Sequence, residues 1–266
     1  MGISIQEISA GYGKTPGQED VLKKISFRIE DGQTICILGE NGSGKSTLLK
    51  VLAGILNYKG KILVDDTELN TLKRQELSAR IAYMSQFSGV YFSYTVWETV
   101  MLGRYLHRKG FLGSPTQEDN ACVEESLKMT GLLELRNARL EELSGGQLQR
   151  VFLARTFAQS TPYILLDEPT NHLDLKYQAQ LTEYLEGWAG KEKQYPDGKV
   201  RRNTLIGVFH DINLALRIAD RLIVMKDGKI LAGGSREEIL RSEVLNTAYG
   251  INVADHMRKQ LVPWEG

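Results

Sequence analysis

Cysteine is scarce in this chain of 266 residues: Cys36 and Cys122 are the only two, far apart and in neither a CxxC pair nor a Cys/His cluster. That argues against a disulfide framework or a zinc site, and two buried thiols are expected. Net charge is absent too. Thirty-three basic and thirty-three acidic side chains cancel, so the molecule offers no long-range field to draw nucleic acid or an anionic bilayer. No run approaches the roughly 18 to 20 apolar residues that cross hydrocarbon, and no basic-then-apolar secretory signal opens the sequence. A cytosolic chain is expected. Internal repeats and low-complexity tracts are also missing. What is present is ordinary soluble composition, 42% hydrophobic and 25% charged, enough for one large or two small packed units.

Residues 3–9 and 24–30 alternate apolar and polar, as half-buried antiparallel strands do, with a loop between them set by Gly11, Gly13, Pro16 and Gly17. Thr34 to Leu38 is a short continuous apolar run, the pattern of a strand covered on both faces, and a helix is expected from Ser46 to near Gly54. From about 88 to 150 strands give way to helical stretches around 96–106, 117–130 and 147–159, which points to a separate helical lobe. Strand-like runs return at Tyr163 to Leu166, Leu205 to Phe209 and Leu222 to Met225 with helical segments between them, the alternation that builds a parallel sheet. Residues 187–203, rich in turn formers and basic side chains, read as an exposed hairpin or loose loop.

Between that first buried strand and the helix lies Gly39-Glu40-Asn41-Gly42-Ser43-Gly44-Lys45-Ser46-Thr47. Glycines let backbone N–H groups approach polyphosphate oxygens, and the following helix offers its positive end. Lys45 reaches β- and γ-phosphates in such a loop, Ser46 ligates Mg²⁺ and Thr47 supports the α-phosphate side, while Asn41 and Ser43 belong to the cradle. Leu165-Leu166-Asp167-Glu168 ends a buried strand where open α/β sheets place ligand-binding groups. Asp167 is expected to hold Mg²⁺ and Glu168 to deprotonate an attacking water. Leu143-Ser144-Gly145-Gly146-Gln147 opens an apolar-faced helix with Ser144 at its N-cap. A second anion-reading element beside the first suggests that it serves a neighbouring subunit.

With these motifs the chain, from near its start to about residue 240, resembles the ATP-binding subunits of ABC transporters. The resemblance implies an α/β fold: a P-loop NTPase (RecA-like) core with a parallel sheet, an N-terminal antiparallel β-subdomain and an inserted α-helical subdomain. It divides the chain into residues 1–87 and 160–230 as core and β-subdomain, 88–159 as helical subdomain with the signature motif, and 231–266 as a C-terminal appendage. It further implies that Tyr12 stacks on adenine, that Gln86 is the Q-loop glutamine acting in catalysis and at Mg²⁺, that Asp174 is the D-loop aspartate at the nucleotide, and that His210 is the switch histidine. His107, His172 and His256 carry no comparable case and read as surface or packing residues.

The resemblance also implies partners. Two copies close head to tail, with each ATP between the P-loop of one and Ser144, Gly146 and Gln147 of the other. Polytopic permease subunits are expected, with a substrate-binding protein acting indirectly and no nucleic acid, on the cytoplasmic face of a bacterial membrane. Phe87, Tyr91, Phe92, Tyr94 and Trp97 either pack the helical lobe or form a groove for a short helix of a membrane subunit. Thr95 to His107, His210 to Ala215 and Asn171 to Asp174 are similar to ATPases of iron-siderophore, haem and cobalamin importers, although that branch usually has proline where Leu106 stands and a shorter 187–203 segment. The alternative is a soluble ABC ATPase of iron–sulfur assembly. A P-loop kinase or GTPase would leave Leu143 to Gln147 unexplained.

Overall fold

The computed structural model describes residues 1–13, 20–85, 93–107, 114–171, 173–195 and 198–261. Gln86, Phe87, Tyr91, Phe92, His172, Pro16 and Gly17 lie outside the described residues. In chain order the first elements are β1 (Gly2–Ala10), β2 (Leu22–Glu30), β3 (Thr34–Leu38), α1 (Lys45–Leu52), β4 (Lys59–Val64), β5 (Thr67–Glu68), α2 (Arg74–Ser78) and β6 (Ile81–Met84). Next come α3 (Val96–Met101), α4 (Gln117–Met129), α5 (Gly145–Ala158), β7 (Tyr163–Asp167), α6 (Leu175–Trp188), β8 (Glu192–Gln194) and β9 (Val200–Arg202). The chain finishes with β10 (Thr204–Val208), α7 (Ile212–Ile218), β11 (Arg221–Lys226), β12 (Lys229–Gly234), α8 (Arg236–Arg241), α9 (Val244–Tyr249) and α10 (Val253–Leu261).

The two alternating segments pair as expected: β1 and β2 are antiparallel neighbours in a sheet ordered β2-β1-β4-β5. The central sheet is ordered β12-β11-β3-β10-β7-β6, parallel except for β12. Its inner strands are covered on both faces because successive side chains alternate. Ile35 and Ile37 of β3 join Leu48 and Leu49 of α1 beneath the antiparallel sheet, whereas Cys36 and Leu38 face the opposite layer with Phe209 and Ile212. Each such aliphatic side chain contributes about 1.5–3 kcal/mol on burial.

A third apolar cluster joins α3, α4 and α5 through Val96, Val100, Val123, Leu127 and Val151, with Trp97 packed against it. Tyr94 stays 42% exposed. The helix expected over 96–106 is helical throughout but tightens after Met101 into a 3₁₀ segment, Leu102–His107. The tightening has a reason in packing. Gly103 lies so close to α5 that a Cβ there would sit 2.4 Å from the Arg155 carbonyl oxygen, and buried Arg104 reaches Asp119 at 2.8 Å and the Ala158 carbonyl at 2.9 Å.

Residues 187–203 do contain a hairpin, β8 against β9 with Lys193 opposite Arg201. It is anchored rather than loose. Tyr195 and Arg201 are 4% and 3% exposed; Arg201 Nε lies 3.3 Å from Asp65 Oδ2, whose other oxygen accepts from the Tyr163 hydroxyl at 2.6 Å, and the Tyr195 hydroxyl donates to Asn203. A guanidinium leaves water only where such partners compensate it. Of the two thiols, one is buried as expected and the other is not. Cys36 is buried, and burial followed by the nearby Asp220 carboxylate pushes its pKa well up. Cys122 is only half-buried, with Sγ 3.4 Å from Ser160 Oγ.

Candidate active site

Strand register assembles the site. Val208 of β10 pairs with Ile37 of β3 on one side and Asp167 of β7 on the other, so the segments that follow these strands, carrying Gly39, Glu168 and His210, leave the sheet at one edge. Gly39 has φ 147° and Gly42 φ 82°; a Cβ at Gly39 would meet the Met225 carbonyl oxygen at 2.2 Å. Thr95, Thr116 and Ser144 each cap their helix by accepting from a backbone N–H. α1 begins after Gly44 with no side-chain cap. Its first-turn N–H groups are left for an anion, and the buried Ser43 hydroxyl beside them has no hydrogen-bond partner among the described residues.

Lys45 is buried, and its ammonium donates to the carbonyls of Gly39 and Glu40, both at 2.8 Å. Burial lowers its pKa, while Glu168 and Asp167 act to raise it. Ser46 Oγ donates to Asp167 Oδ1 at 2.9 Å, and the Tyr83 hydroxyl donates to Asp167 Oδ2 at 3.2 Å. Burial raises the Asp167 pKa against the lowering effect of those two donors. Burial, then the Asp167 charge, also pushes the Tyr83 phenol well up, which keeps it a donor. Two adjacent hard oxygen donors suit a small divalent cation.

Glu168 follows β7 with φ 56°. Its Oε1 lies 2.6 Å from His210 Nε2, and the Asn171 amide donates to Oε2. With Tyr12, Asn41, Gly42, Gly44, Lys45, Ser46 and Thr47 it lines an open cleft of about 340 Å³. A carboxylate at the mouth of a polyanion cleft can take a proton from water. Tyr12 is 58% exposed. Its hydroxyl sits 3.3 Å from Thr47 Oγ1 and accepts from Lys50 at 3.2 Å, leaving the ring at the cleft rim.

Ser144 is the N-cap of α5, as expected, and forms a reciprocal pair with Gln147: the Ser144 N–H donates to Oε1 at 2.8 Å and its Oγ accepts from the Gln147 N–H at 3.3 Å. Asp174 caps α6 by accepting from the Tyr177 N–H at 3.0 Å. Neither Asp174 nor Ser144, Gly146 and Gln147 lines the cleft. His107 is a packing residue, its Nε2 2.8 Å from the Gln159 carbonyl oxygen.

Sequence reasoning missed four residues: Tyr83 on Asp167, Asn171 on Glu168, Gln149, whose Nε2 donates to the Glu168 carbonyl oxygen at 3.0 Å, and Tyr249, whose hydroxyl accepts from the Gly39 N–H at 3.0 Å. Asn171 and Gln149 are polar residues beside recognisable motifs, a usable signal. Tyr249 stands 210 positions from its partner, with nothing local to mark it.

A glycine loop on an uncapped helix after a parallel strand, with an acidic pair ending a second strand, defines a P-loop nucleoside triphosphate-binding fold. Sequence comparison narrows it: the ABC transporter family profile matches residues 22–171, and the chain belongs to that family as an ABC-type ATPase. It is 35% identical to the ferric enterobactin transport ATP-binding protein FepC of Escherichia coli (strain K12), over 92% of this chain and 86% of that protein. It is 33% identical to the cobalamin import ATP-binding protein BtuD of Halobacterium salinarum, over 88% of this chain and 56% of that one. Among solved structures, a dimeric post-hydrolysis state of the ATP-binding cassette MJ0796 with ADP and Pi superposes with TM-score 0.74 at 30% identity, covering 88% of this chain and 98% of that one. The α/β P-loop fold expected from the sequence is the fold observed.

Proposed function

We propose that this chain is the ATP-hydrolysing subunit of an importer that moves an iron-siderophore, haem or cobalamin type substrate across the cytoplasmic membrane. The single observation that carries the hydrolytic half is Glu168, its carboxylate oriented by His210 at 2.6 Å on the cleft that Lys45 and the uncapped α1 prepare for phosphates. The importer half is supported by likeness to FepC over nearly its whole length.

In this reading Lys45 exchanges its two carbonyl partners for β- and γ-phosphate oxygens, and the P-loop amides from Gly39 to Thr47 hold the remainder. Tyr12 stacks on adenine. Ser46 and Asp167, with Gln86, hold Mg²⁺, which when bound neutralises phosphate charge. Glu168 takes the proton of the attacking water, and His210 fixes the carboxylate and faces the γ-phosphate. Ser144, Gly146, Gln147 and Asp174, which stand off the chain's own cleft, meet the nucleotide of a second copy bound head to tail. Loss of the γ-phosphate bridge lets the copies part.

The division into residues 1–87 and 160–230, 88–159 and 231–266 then acquires meaning: the core grips ATP and the helical part presents Ser144 and receives the permease. No helix among the described residues is long and apolar enough to cross a membrane, so the chain sits peripherally on permease subunits, and a substrate-binding protein supplies cargo indirectly. Two of the relatives quoted are named for ferric enterobactin transport and cobalamin import, and on that support the soluble iron–sulfur alternative is set aside. The test is reconstitution with its permease in vesicles, with uptake of ferric siderophore, haem and cobalamin measured side by side. ATP-dependent uptake of one of them is expected; ATP hydrolysis that no permease stimulates and no uptake accompanies would contradict the importer assignment.

A further inference from the structure

Gln149 is 7% exposed, an uncharged polar side chain turned inward from α5, and it spends its amide on one acceptor, the main-chain oxygen of Glu168 at 3.0 Å. That acceptor belongs to a residue in a strained conformation. Glu168 has φ 56°, a region that a residue with a Cβ occupies only where its surroundings hold it. The surroundings hold it at both ends: its N–H donates to the Val208 carbonyl of β10 at 3.0 Å, and its C=O is fixed from α5. A change in either peptide plane swings the carboxylate away from His210 Nε2, now 2.6 Å distant.

Gln149 also stands on the same helix as Ser144 and Gln147, little more than one turn beyond the N-cap. An α-helix moves as a stiff rod over that length. We propose that Gln149 is a positioning residue that couples the N-terminus of α5 to the aim of Glu168, so that engagement of a partner's nucleotide at Ser144 sets the catalytic carboxylate of this copy. The inference rests on the reading of Glu168 as the base and of Ser144 as a contact to the second copy's ATP.

The test uses the full chain with Mg²⁺ and ATP. Gln149→Met keeps length and helix propensity but removes the donor. It is expected to lower kcat about tenfold, while monomer ATP affinity and the melting temperature stay near those of the parent, and to cause no further loss of turnover in a Glu168→Gln background. Gln149→Glu supplies a donor only when protonated, so its kcat relative to the parent should fall as pH rises. Unchanged kcat in Gln149→Met, a loss that tracks ATP affinity or melting temperature, full multiplication of the two losses in the double variant, or a flat pH ratio for Gln149→Glu would each overturn the proposal. If Gln149→Met does not fold, the Glu variant's pH ratio decides. Near-normal turnover in Glu168→Gln alone would instead sink the underlying reading of the base, so the two failures are distinct.

Discussion

Ser46 and Asp167, 121 positions apart in the chain, share a 2.9 Å hydrogen bond. It joins the first turn of the P-loop helix to the end of the strand two places from β3 in the sheet, and it sets side by side the two oxygen atoms that the proposed function assigns to Mg²⁺. In the proposed function the two residues act together, and neither makes a cation site alone.

In the proposed role Asp167 must be ionised to hold Mg²⁺, and burial raises its pKa while Ser46 and Tyr83 act to lower it. Protonation therefore competes with Mg²⁺ at a higher pH than for an exposed aspartate, and the Mg²⁺ concentration needed for half-maximal ATPase should rise as pH falls. Tyr83→Phe removes one of the lowering donors, so the rise should begin at higher pH in that variant. Mg²⁺ titrations of the two proteins across pH 5–8, with superimposable curves counting against the assignment, provide the check.

Tyr249 links the C-terminal helices to the nucleotide loop through the Gly39 N–H, 3.0 Å from its hydroxyl. Tyr249→Phe leaves the ring and removes the acceptor. ATP affinity should weaken roughly three- to tenfold, as for loss of one hydrogen bond of about 1 kcal/mol, with kcat at saturation little changed. Equilibrium binding of a fluorescent ATP analogue reads this directly.

Much of this could be seen in the sequence, for physical reasons that particular residues make plain. Ile35 and Ile37 against Cys36 and Leu38 form an unbroken apolar run because β3 is buried on both faces, and a phosphate loop needs glycine at Gly39 and Gly42 whatever surrounds it. Short strands escaped. β6 is an apolar run of only four residues, Ile81 to Met84, and β12 ends in two glycines; neither is long enough to show a period, and their place is set by neighbours in the sheet. The hairpin at 192–202 was legible as a turn-rich segment, but its anchoring was not, because Arg201 finds Asp65 across 136 positions of chain. Tyr83 was invisible for the same reason: its role is set by the distant Asp167 acceptor, and sequence does not show acceptors.

The Arg201–Asp65 pair should matter for stability rather than chemistry. Both side chains are at most 5% exposed, so Arg201→Met strands a buried carboxylate and should cost about 3 kcal/mol in urea unfolding. Adding Asp65→Asn should recover much of that loss. Turnover per folded molecule is expected to stay unchanged in both; a variant as stable as the parent would show the pair to be dispensable.

Glu168→Gln keeps the shape of the site but cannot accept the water's proton, and turnover should fall roughly 10²-fold or more. The same variant should preserve the ATP-bound form. Mutating Ser144 to arginine in that background should leave monomer binding of ATP intact and prevent pairing, because Ser144 lies off the chain's own cleft.

The most direct test of the account is therefore the molar mass of Glu168→Gln in solution, measured by light scattering with and without saturating ATP and Mg²⁺. Two chains per particle with nucleotide and one without it is the predicted result. A single chain at every nucleotide concentration would contradict the claim that the bound triphosphate is gripped by two copies at once.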